Sequence, residues 1–554
     1  MMKNHLFLIL LVLFAGCKPK IYECKIRNPL LAGFYSDPSI CRVGEDYYLV
    51  TSTFAYFPGI PIFHSKNLIT WRQIGNVITD NRSFDYTNLS VSDGMYAPSI
   101  RYYKGNFYVI CTFIGGEGNF VMKSHKPEGP WEGPFWIPEI NGINLSLFFD
   151  DDGKAYILYN SVVYDNKPLY NGHRTIRLCE FNFENMKVKG DKYIIVDSIS
   201  GIEEKPIWIE GSHIFKFNGY YYLIAKKGDT GYNHSEVVFR SKNIYGPYEA
   251  YNNNRNLTQR HIIQDKISLI AYTGHADFVL TSEGEWWAVF LGYRPYKMNN
   301  YYNTGGETYI APVKWVDDWP IINYGYEEIQ LEYVIRSSKP CPKVSFDDFY
   351  MRDDFLSDTL AAHWLFLRQP IKKWYSMDKK KGYLTIQLQS VTCGEKSNPS
   401  FIGYRQRHIN SEVTIKMNFK PMNNYEKAGL LVFQNETHYY LINISKEKND
   451  YIVELNKSTN DPKRLILLNK LTIKHLKNGV ILKIKSSKDG YTFFCHIDGK
   501  TYTIGKNINP DFLSKKIADG FVGCVYAMYA TSTGIFSNNK AYFDWFEYKG
   551  NDFK

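Results

Sequence analysis

The chain has 554 residues, which is too long for one hydrophobic core and predicts two to four domains at roughly 150 residues each. Aromatic residues make up 16% of the sequence, which favours β-strands and surfaces that stack on sugar rings. The net charge of +10 is spread along the chain. This excludes a dedicated nucleic-acid-binding protein, which would concentrate its cations on one stripe or helix.

The N-terminus is typical of a secretion signal. Lys3 is followed by an apolar run over residues 6–14, which is too short to span a membrane, and then by small residues before Cys17. The AGC ending resembles a bacterial lipobox, and an ordinary cleaved signal is the alternative. We expect residues 1–17 to be a lipoprotein signal peptide and Cys17 to carry the lipid. The protein would then be held in the bacterial cell envelope, on the periplasmic side of the outer membrane, and would contact the membrane only through this anchor.

A unit of short strands recurs five times in the first 330 residues. Each copy joins a short apolar strand to an aromatic-rich strand, and three of the five hairpins carry the turn dipeptides KG, DG or NG. Five all-strand units with almost no helical periodicity predict a five-bladed β-propeller over residues 25–334. Because the innermost strands line the axis, the first residues of the copies should face one another across one pocket. These residues are Asp37, Ala97, Asn144, Glu210 and His275.

The segment after the fifth unit has a different character. Pro340 and Pro342 mark a linker over residues 335–350. Alternating strands such as SEVTIKMNF and HYYLINIS then predict a two-sheet, concanavalin-like β-sandwich over residues 351–554. No titratable cluster repeats there, so we interpret it as a supporting or glycan-binding module. The whole chain is therefore expected to be all-β.

The cysteines give a weaker signal. The chain has nine of them, and those after Cys17 form no C-x-x-C pair. This spacing argues against zinc or iron–sulfur sites. Buried thiols, or one or two disulfides, are the alternatives that stay open.

Two of the aligned residues carry the groups that glycosidic cleavage needs. One carboxyl group must protonate the leaving oxygen, and a second must activate water or attack the anomeric carbon. Asp37 and Glu210 occupy equivalent places on blades one and four, across the axis from one another. A gap between them that admits water would make the reaction inverting.

The sequence is similar to glycoside hydrolase family 43. The motifs GFYSDPSI, STFAYFPGIPIFHSKNLITW, EGSHIFKFNGYYYLIA and TGYNHSEVVFRSKNIYGPYE stand in the family's order, and the match covers about residues 25 to 550. The resemblance is to the branch of β-xylosidases and α-L-arabinofuranosidases that carries a C-terminal sandwich. It implies an exo-acting enzyme on pentose-containing oligosaccharides or polysaccharides of the plant cell wall, such as xylan. It also implies that the sandwich lends a loop to the pocket rim, with Tyr526 to Gly534 as the candidate.

The resemblance also implies roles for individual residues. Asp37 matches the general base and Glu210 matches the general acid. Asn144 stands where the family has a third Asp that tunes the acid. The residues that match the substrate-binding wall are Phe54, Tyr96 (often Trp in the family), Thr230, His234, His275 and Arg294.

Three departures from the family pattern fall in or near this pocket. Asn144 can form hydrogen bonds but brings no negative charge to the general acid. Gly306 replaces the substrate-binding Arg of the family's GRET motif, and Lys227 replaces an acidic residue. Lower activity or an altered substrate is expected from these changes. A catalytically impaired propeller that binds glycans is the alternative function.

His275 has two interpretations. It could hold a calcium or sodium ion at the propeller axis through water, or it could be a hydrogen-bonded part of the pocket wall. A single imidazole is a poor ligand for a hard cation that prefers oxygen, so we favour the pocket wall. We expect that no cofactor is required, with a structural calcium ion as an option.

Overall fold

Antiparallel strands form nearly all of the regular structure in this chain. A computed structural model describes residues 20–80, 83–163, 167–197, 208–228, 233–251, 256–258, 269–297, 301–343, 348–377, 380–476 and 479–552. Its helices include a 3₁₀ turn at Pro510–Leu513 and α1 at Lys515–Ala518. No helix within these ranges is long and apolar enough to cross a membrane.

The first half of the described chain forms five four-stranded sheets, which confirms the predicted five-bladed propeller. The first strand of each sheet contacts the first strands of its two neighbours, so these strands close a ring around the axis. The strands are β1 (Tyr22–Arg27), β2 (Ser39–Val43), β3 (Asp46–Val50), β4 (Tyr56–Phe57), β5 (Gly59–Ser65), β6 (Arg72–Ile78), β7 (Gly94–Tyr103), β8 (Asn106–Ile114), β9 (Gly118–Ser124), β10 (Glu132–Trp136), β11 (Ile143–Phe149), β12 (Ala155–Ser161), β13 (Thr175–Asn182), β14 (Lys187–Asp197), β15 (Glu210–Phe217), β16 (Tyr220–Lys227), β17 (Ser235–Ser241), β18 (Glu249–Ala250), β19 (Ala271–Leu280), β20 (Trp286–Tyr293), β21 (Glu307–Val316), β22 (Trp319–Ile322) and β23 (Glu332–Ser337). Blade one contains β2, β3, β5 and β6, and the later blades contain β7–β10, β11–β14, β15–β18 and β19–β22.

A left-handed residue near the start of the innermost strand recurs in every blade. In four blades it is the aligned residue itself: Asp37 (φ 53°), Ala97 (φ 43°), Asn144 (φ 55°) and His275 (φ 59°). In blade four it is Gly211 (φ 59°), directly after Glu210. The pairing register shifts nearby in blades two to five, as expected where bulges redirect side chains. A positive φ is strained for residues other than glycine, so in four of the blades the surrounding structure must enforce it.

A buried polar cluster joins the innermost strands of four blades. The Arg101 guanidinium donates to both carboxylate oxygens of Asp277, at 2.8 and 3.0 Å, and to Nδ1 of His213 at 3.0 Å. The Ser39 hydroxyl donates to Asp277 Oδ2 at 2.7 Å. Burial would raise the pKa of Asp277, but the nearby Arg101 charge overcomes this effect and holds the pKa at about 2. Burial lowers the pKa of His213 to about 3, so this imidazole is neutral at pH 7.

The second half of the described chain forms two eight-stranded sheets, which confirms the predicted β-sandwich. Its edge strand β4 comes from the propeller, and one hydrophobic core runs from the first two blades into the sandwich, so the two parts are packed together. The remaining strands are β24 (Phe349–Asp353), β25 (Leu365–Leu367), β26 (Tyr375–Ser376), β27 (Leu384–Gln387), β28 (Ser400–Arg405), β29 (Ser411–Asn418), β30 (Lys427–Asn435), β31 (His438–Glu447), β32 (Asp450–Ser458), β33 (Leu465–Ile473), β34 (Val480–Ser487), β35 (Gly490–Ile497), β36 (Lys500–Ile508), β37 (Val525–Thr531) and β38 (Lys540–Gly550). One sheet has the order β26-β27-β38-β29-β34-β35-β36, with β24 also paired to β38, and the other has the order β33-β32-β31-β30-β37-β28-β25-β4.

Both alternatives left open for the cysteines occur. Cys24 in β1 forms a disulfide with Cys341, which follows β23. Strands β1 and β23 are also paired, so the disulfide reinforces the contact between the two ends of the propeller. The described cysteines outside this bond are buried thiols: Cys41, Cys111, Cys179, Cys393, Cys495 and Cys524.

Candidate active site

A cavity of about 250 Å³ lies at the propeller axis and receives a side chain from every blade. Six of the nine residues predicted for catalysis and substrate binding line it, and their roles stay predictions. Its lining consists of Ser36, Asp37, Phe54, Tyr96, Ile143, Asn144, Trp208, Glu210, Lys226, His275, Leu291, Tyr293 and Phe521. The aligned blade-two residue Ala97 is buried but is not part of this lining.

Asp37 is held by hydrogen-bonding groups at both of its carboxylate oxygens. The Ser52 hydroxyl donates to Oδ2 at 2.7 Å and itself accepts from the Ala97 backbone N–H at 2.8 Å. Nδ1 of His275 lies 3.3 Å from Oδ1. Burial lowers the pKa of His275, so at neutral pH an uncharged ring faces the carboxylate. This arrangement orients Asp37 as a proton acceptor and supports the pocket-wall interpretation of His275.

Glu210 is paired with a lysine that the sequence analysis did not single out. The Lys226 ammonium donates to Glu210 Oε1 at 2.6 Å, and the Asn160 amide donates to Oε2 at 3.2 Å. The side chains of Lys226 and Glu210 are only 5% and 13% exposed. The close approach of blades four and five depends on Gly211, because a Cβ there would lie 2.8 Å from Nε2 of His275.

Asn144 lines the cavity, where its side-chain amide is available to a ligand. The residue is buried, and its side chain makes no hydrogen bond with the residues that the structure describes. An amide offers both a donor and an acceptor, so it can bind a sugar hydroxyl.

Gly306 is enclosed by residues of the cavity wall. A Cβ at this position would collide with Leu291 Cδ1 and would lie 2.7 Å from Ser36 Oγ. The space that a larger residue would need is thus occupied. The wall on this side is formed by Leu291 and Tyr293.

Three aromatic rings form another side of the cavity. Phe54 contacts Tyr96 edge to face at 5.1 Å between ring centroids, and stacks on Phe521 at 6.2 Å with an interplanar angle of 15°. Phe521 precedes β37, so the sandwich does contribute a residue to the pocket, as the resemblance implied. The contributing residue differs from the predicted stretch, since Tyr526 lies in the buried strand β37. The Phe521 backbone N–H donates to Ser92 Oγ at 2.9 Å, which ties this loop to the propeller.

Two predicted wall residues lie outside the cavity lining. The Arg294 guanidinium donates hydrogen bonds to Glu307 at 2.6 and 2.7 Å and to Asp552 of the sandwich at 2.5 Å. Its charge is therefore neutralised at the interface between the propeller and the sandwich. His234 is buried, with Nδ1 2.6 Å from the Tyr272 carbonyl oxygen. Two further predicted residues, Thr230 and Cys17, fall outside the described residues.

The donor set at the axis does not fit a calcium ion. Calcium takes six to eight oxygen ligands, whereas the oxygens of Asp277 already accept from Arg101 and Ser39. In the described ranges, no group of three or more His, Cys, Asp or Glu side chains could hold a metal ion. The guanidinium of Arg101 already supplies positive charge at the axis.

Family models match both halves of the chain. The model for glycosyl hydrolases family 43 matches residues 26–320. A model described as the beta xylosidase C-terminal concanavalin A-like domain matches residues 352–549. These two regions correspond to the propeller and the sandwich of the structure.

Similar proteins match over nearly their full lengths. The non-reducing end alpha-L-arabinofuranosidase BoGH43B of Bacteroides ovatus is 34% identical, over 99% of each chain. A xylan 1,3-beta-xylosidase of a Vibrio species is 32% identical, over 94% of this chain and 99% of its own. The solved structure of the Bacteroides ovatus xyloglucan PUL GH43B has a TM-score of 0.84 at 33% identity, covering 95% of this chain and 99% of that one. None of these names supports the alternative of a glycan-binding protein. The chain therefore belongs to glycosyl hydrolases family 43 and is a glycosidase.

Proposed function

We propose that this glycosidase removes single terminal pentose residues, xylose or arabinofuranose, from plant cell-wall glycans with inversion at the anomeric carbon. The observation that carries the proposal is that Asp37 and Glu210 line one cavity from blades one and four. The cavity volume of about 250 Å³ is smaller than the roughly 300–1,000 Å³ of sites for drug-sized ligands, which suits one sugar ring. The names of the relatives, an arabinofuranosidase and a xylosidase, support the pentose class.

The two carboxyl groups divide the chemistry between them. Asp37 accepts a proton from a water molecule while the oxygen of that water attacks the anomeric carbon. Glu210 donates a proton to the departing glycosidic oxygen. The bonds from Ser52 and Lys226 keep the two carboxyl groups in place during the reaction. After product release, Asp37 returns its proton to solvent and Glu210 regains one.

The rest of the cavity supplies binding and orientation. The rings of Phe54, Tyr96 and Phe521 offer apolar surface to the C–H face of a sugar. The amide of Asn144 offers hydrogen bonds to a hydroxyl. The Leu291 wall beside Gly306 offers apolar contact instead of a guanidinium, so we expect recognition of the terminal pentose to depend on stacking more than on charge.

The test is hydrolysis of aryl α-L-arabinofuranoside and aryl β-D-xyloside, with NMR detection of the anomer formed first. Asp37→Asn is the matched inactive control, because it keeps the side-chain shape. The proposal is supported if the wild type releases the inverted pentose and the Asp37→Asn variant releases none. Release of the retained anomer contradicts inversion. Binding of oligosaccharides without any hydrolysis would favour the glycan-binding alternative.

We also propose that the protein is lipid-anchored in the bacterial cell envelope, on the periplasmic side of the outer membrane. The signal features of residues 1–17, with Cys17 at their end, support this location. The disulfide between Cys24 and Cys341 supports an oxidising compartment. The test is membrane fractionation with intact-mass analysis, in which Cys17→Ala should lose both the lipid mass and the membrane association.

A further inference from the structure

Arg174 is a cation that lies beside Trp208, a residue of the cavity lining. It precedes β13 in blade three and is partly buried. Within the described residues its guanidinium takes part in no hydrogen bond or ion pair, and it lies over the Trp208 ring at 4.2 Å from the centroid. Burial lowers the pKa of Arg174, while the charge of Glu210 opposes that shift. A partly desolvated guanidinium with open donors can bind an anionic ligand at a smaller desolvation cost than a fully hydrated one.

Trp208 connects this cation to the catalytic cavity. Trp208 is one of the residues that line the cavity, and it stands two residues before Glu210. The Trp208 backbone N–H donates to the Gly172 carbonyl at 2.9 Å, which fixes the two chain segments together. The neighbouring His173 is buried, with Nε2 2.8 Å from Asp197 Oδ1. The Arg174 guanidinium is therefore held by anchored backbone and by a cation–π contact.

The charges on this side of the cavity do not balance. The described cations near Glu210 are Lys226, which is bonded to it, and Arg174, which interacts with it electrostatically. In the state that donates the proton Glu210 is uncharged, so these two positive groups are opposed among the charged residues of the lining only by the Asp37 carboxylate. Asn144 is the residue on the adjacent blade where the family motif would place an acidic group, and it adds no negative charge. One further carboxylate, supplied by the ligand, would neutralise the surplus.

We propose that Arg174 and Trp208 form a leaving-group subsite for an acidic saccharide, in which the guanidinium binds the carboxylate of a uronic acid. A guanidinium presents two parallel N–H donors that match a carboxylate, and the indole beneath it keeps this fork oriented. The inference rests on the proposed function, because Glu210 as general acid defines the leaving-group side. The enzyme would then release a pentose from a uronic acid in preference to a neutral sugar.

The test compares two disaccharides that differ in one group. Each carries the terminal pentose that the enzyme releases, attached to a uronic acid in one case and to its carboxamide in the other. We expect the wild type to show at least a tenfold higher kcat/KM for the acid, and this preference should shrink as salt is added. Arg174→Gln should bring the ratio close to one and leave hydrolysis of an aryl pentoside within about twofold. Arg174→Lys should give an intermediate ratio, since it keeps the charge without the fork.

Arg352→Gln is the matched control, because Arg352 also lies over a tryptophan, Trp545, at 4.4 Å but in the sandwich. It should keep the wild-type ratio. The inference would be overturned if the wild type showed no preference for the acid. It would also be overturned if Arg174→Gln lowered kcat/KM equally for all substrates. Binding of both disaccharides to Asp37→Asn by calorimetry reports the same preference without turnover. Failure of hydrolysis with a retained binding preference would therefore count against the proposed function and not against the subsite.

Discussion

Replacing Glu210 by Gln should separate its chemical role from its structural role. The variant keeps the shape of the side chain but cannot donate a proton to the leaving oxygen. General acid catalysis is worth about 10²–10⁴-fold, so kcat on an unactivated pentose oligosaccharide should fall by that factor. A dinitrophenyl glycoside departs without protonation, and its hydrolysis should fall less than about tenfold.

The same variant leaves Lys226 without its counter-charge. The ammonium is 5% exposed and lies 2.6 Å from Glu210 Oε1, so solvent compensates little for the loss. Hydrogen bonds to charged groups contribute about 1.5–3 kcal/mol, and we expect the free energy of unfolding to fall by that amount. Adding Lys226→Met removes the unpaired charge and should recover most of the stability, without recovering activity.

Urea unfolding and steady-state kinetics on the two substrates measure both effects. Glu332→Gln is a suitable control, because it breaks an exposed Lys–Glu pair, with Lys25 at 2.7 Å, which should contribute little to stability. Equal losses on activated and unactivated substrates would refute Glu210 as the general acid. A double variant that is no more stable than Glu210→Gln would refute the structural account of the ion pair.

Four further changes test other parts of the molecule. Asp37→Asn should abolish hydrolysis of activated and unactivated substrates alike, because water must be deprotonated in both cases; a selective loss in kinetic assays would contradict this role. Phe521→Ala should raise KM several-fold but leave the melting temperature nearly unchanged, because the side chain is 39% exposed; an unchanged KM would exclude it from sugar binding. Joint replacement of Cys24 and Cys341 by Ser should lower the free energy of unfolding by about 2–5 kcal/mol, and a reducing agent should then affect only the wild type. Burial lowers the pKa of His213 to about 3, so as the pH falls below about 6.5 the unfolded chain gains a proton there and the folded chain does not. His213→Gln should therefore flatten the loss of stability between pH 6.5 and 4 by about 1.4 kcal/mol per pH unit in urea unfolding, and an unchanged slope would contradict the assignment.

The propeller and its facing carboxyl groups could be predicted because both depend on a local pattern. Each blade starts with a similar short motif, and the hairpin turns are encoded by adjacent residues such as Asn218-Gly219. Once the repeats are aligned, Asp37 and Glu210 must face the same axis. The structure confirms the five blades and the sandwich, and it places both carboxyl groups in one cavity.

The partner of Glu210 could not be predicted, because a bulge moves the strand register. Strands β15 and β16 pair regularly from the turn, with Phe217 opposite Tyr220, and a regular hairpin would continue to place Lys227 opposite Glu210. The register shifts between Glu210 and His213, so Lys226 takes that place. Since neighbouring residues of a strand point to opposite faces, a shift by one residue exchanges which lysine reaches the carboxylate. The sequence analysis noted Lys227, which lies in the same strand, but the lysine that pairs with Glu210 is Lys226.

Gly306 shows why a family motif does not transfer one residue at a time. The motif alone indicates that an arginine is missing, which suggests a pocket that has lost a substrate contact. The structure shows instead that Leu291 Cδ1 occupies the space where a Cβ at position 306 would stand. Leu291 comes from β20 and Gly306 immediately precedes β21, so the two positions share one volume on neighbouring strands. In a close-packed wall, a change at one such position has meaning only together with its neighbour. Because Leu291 fills this space, the glycine belongs to a differently shaped pocket, in which apolar contact replaces an ionic one.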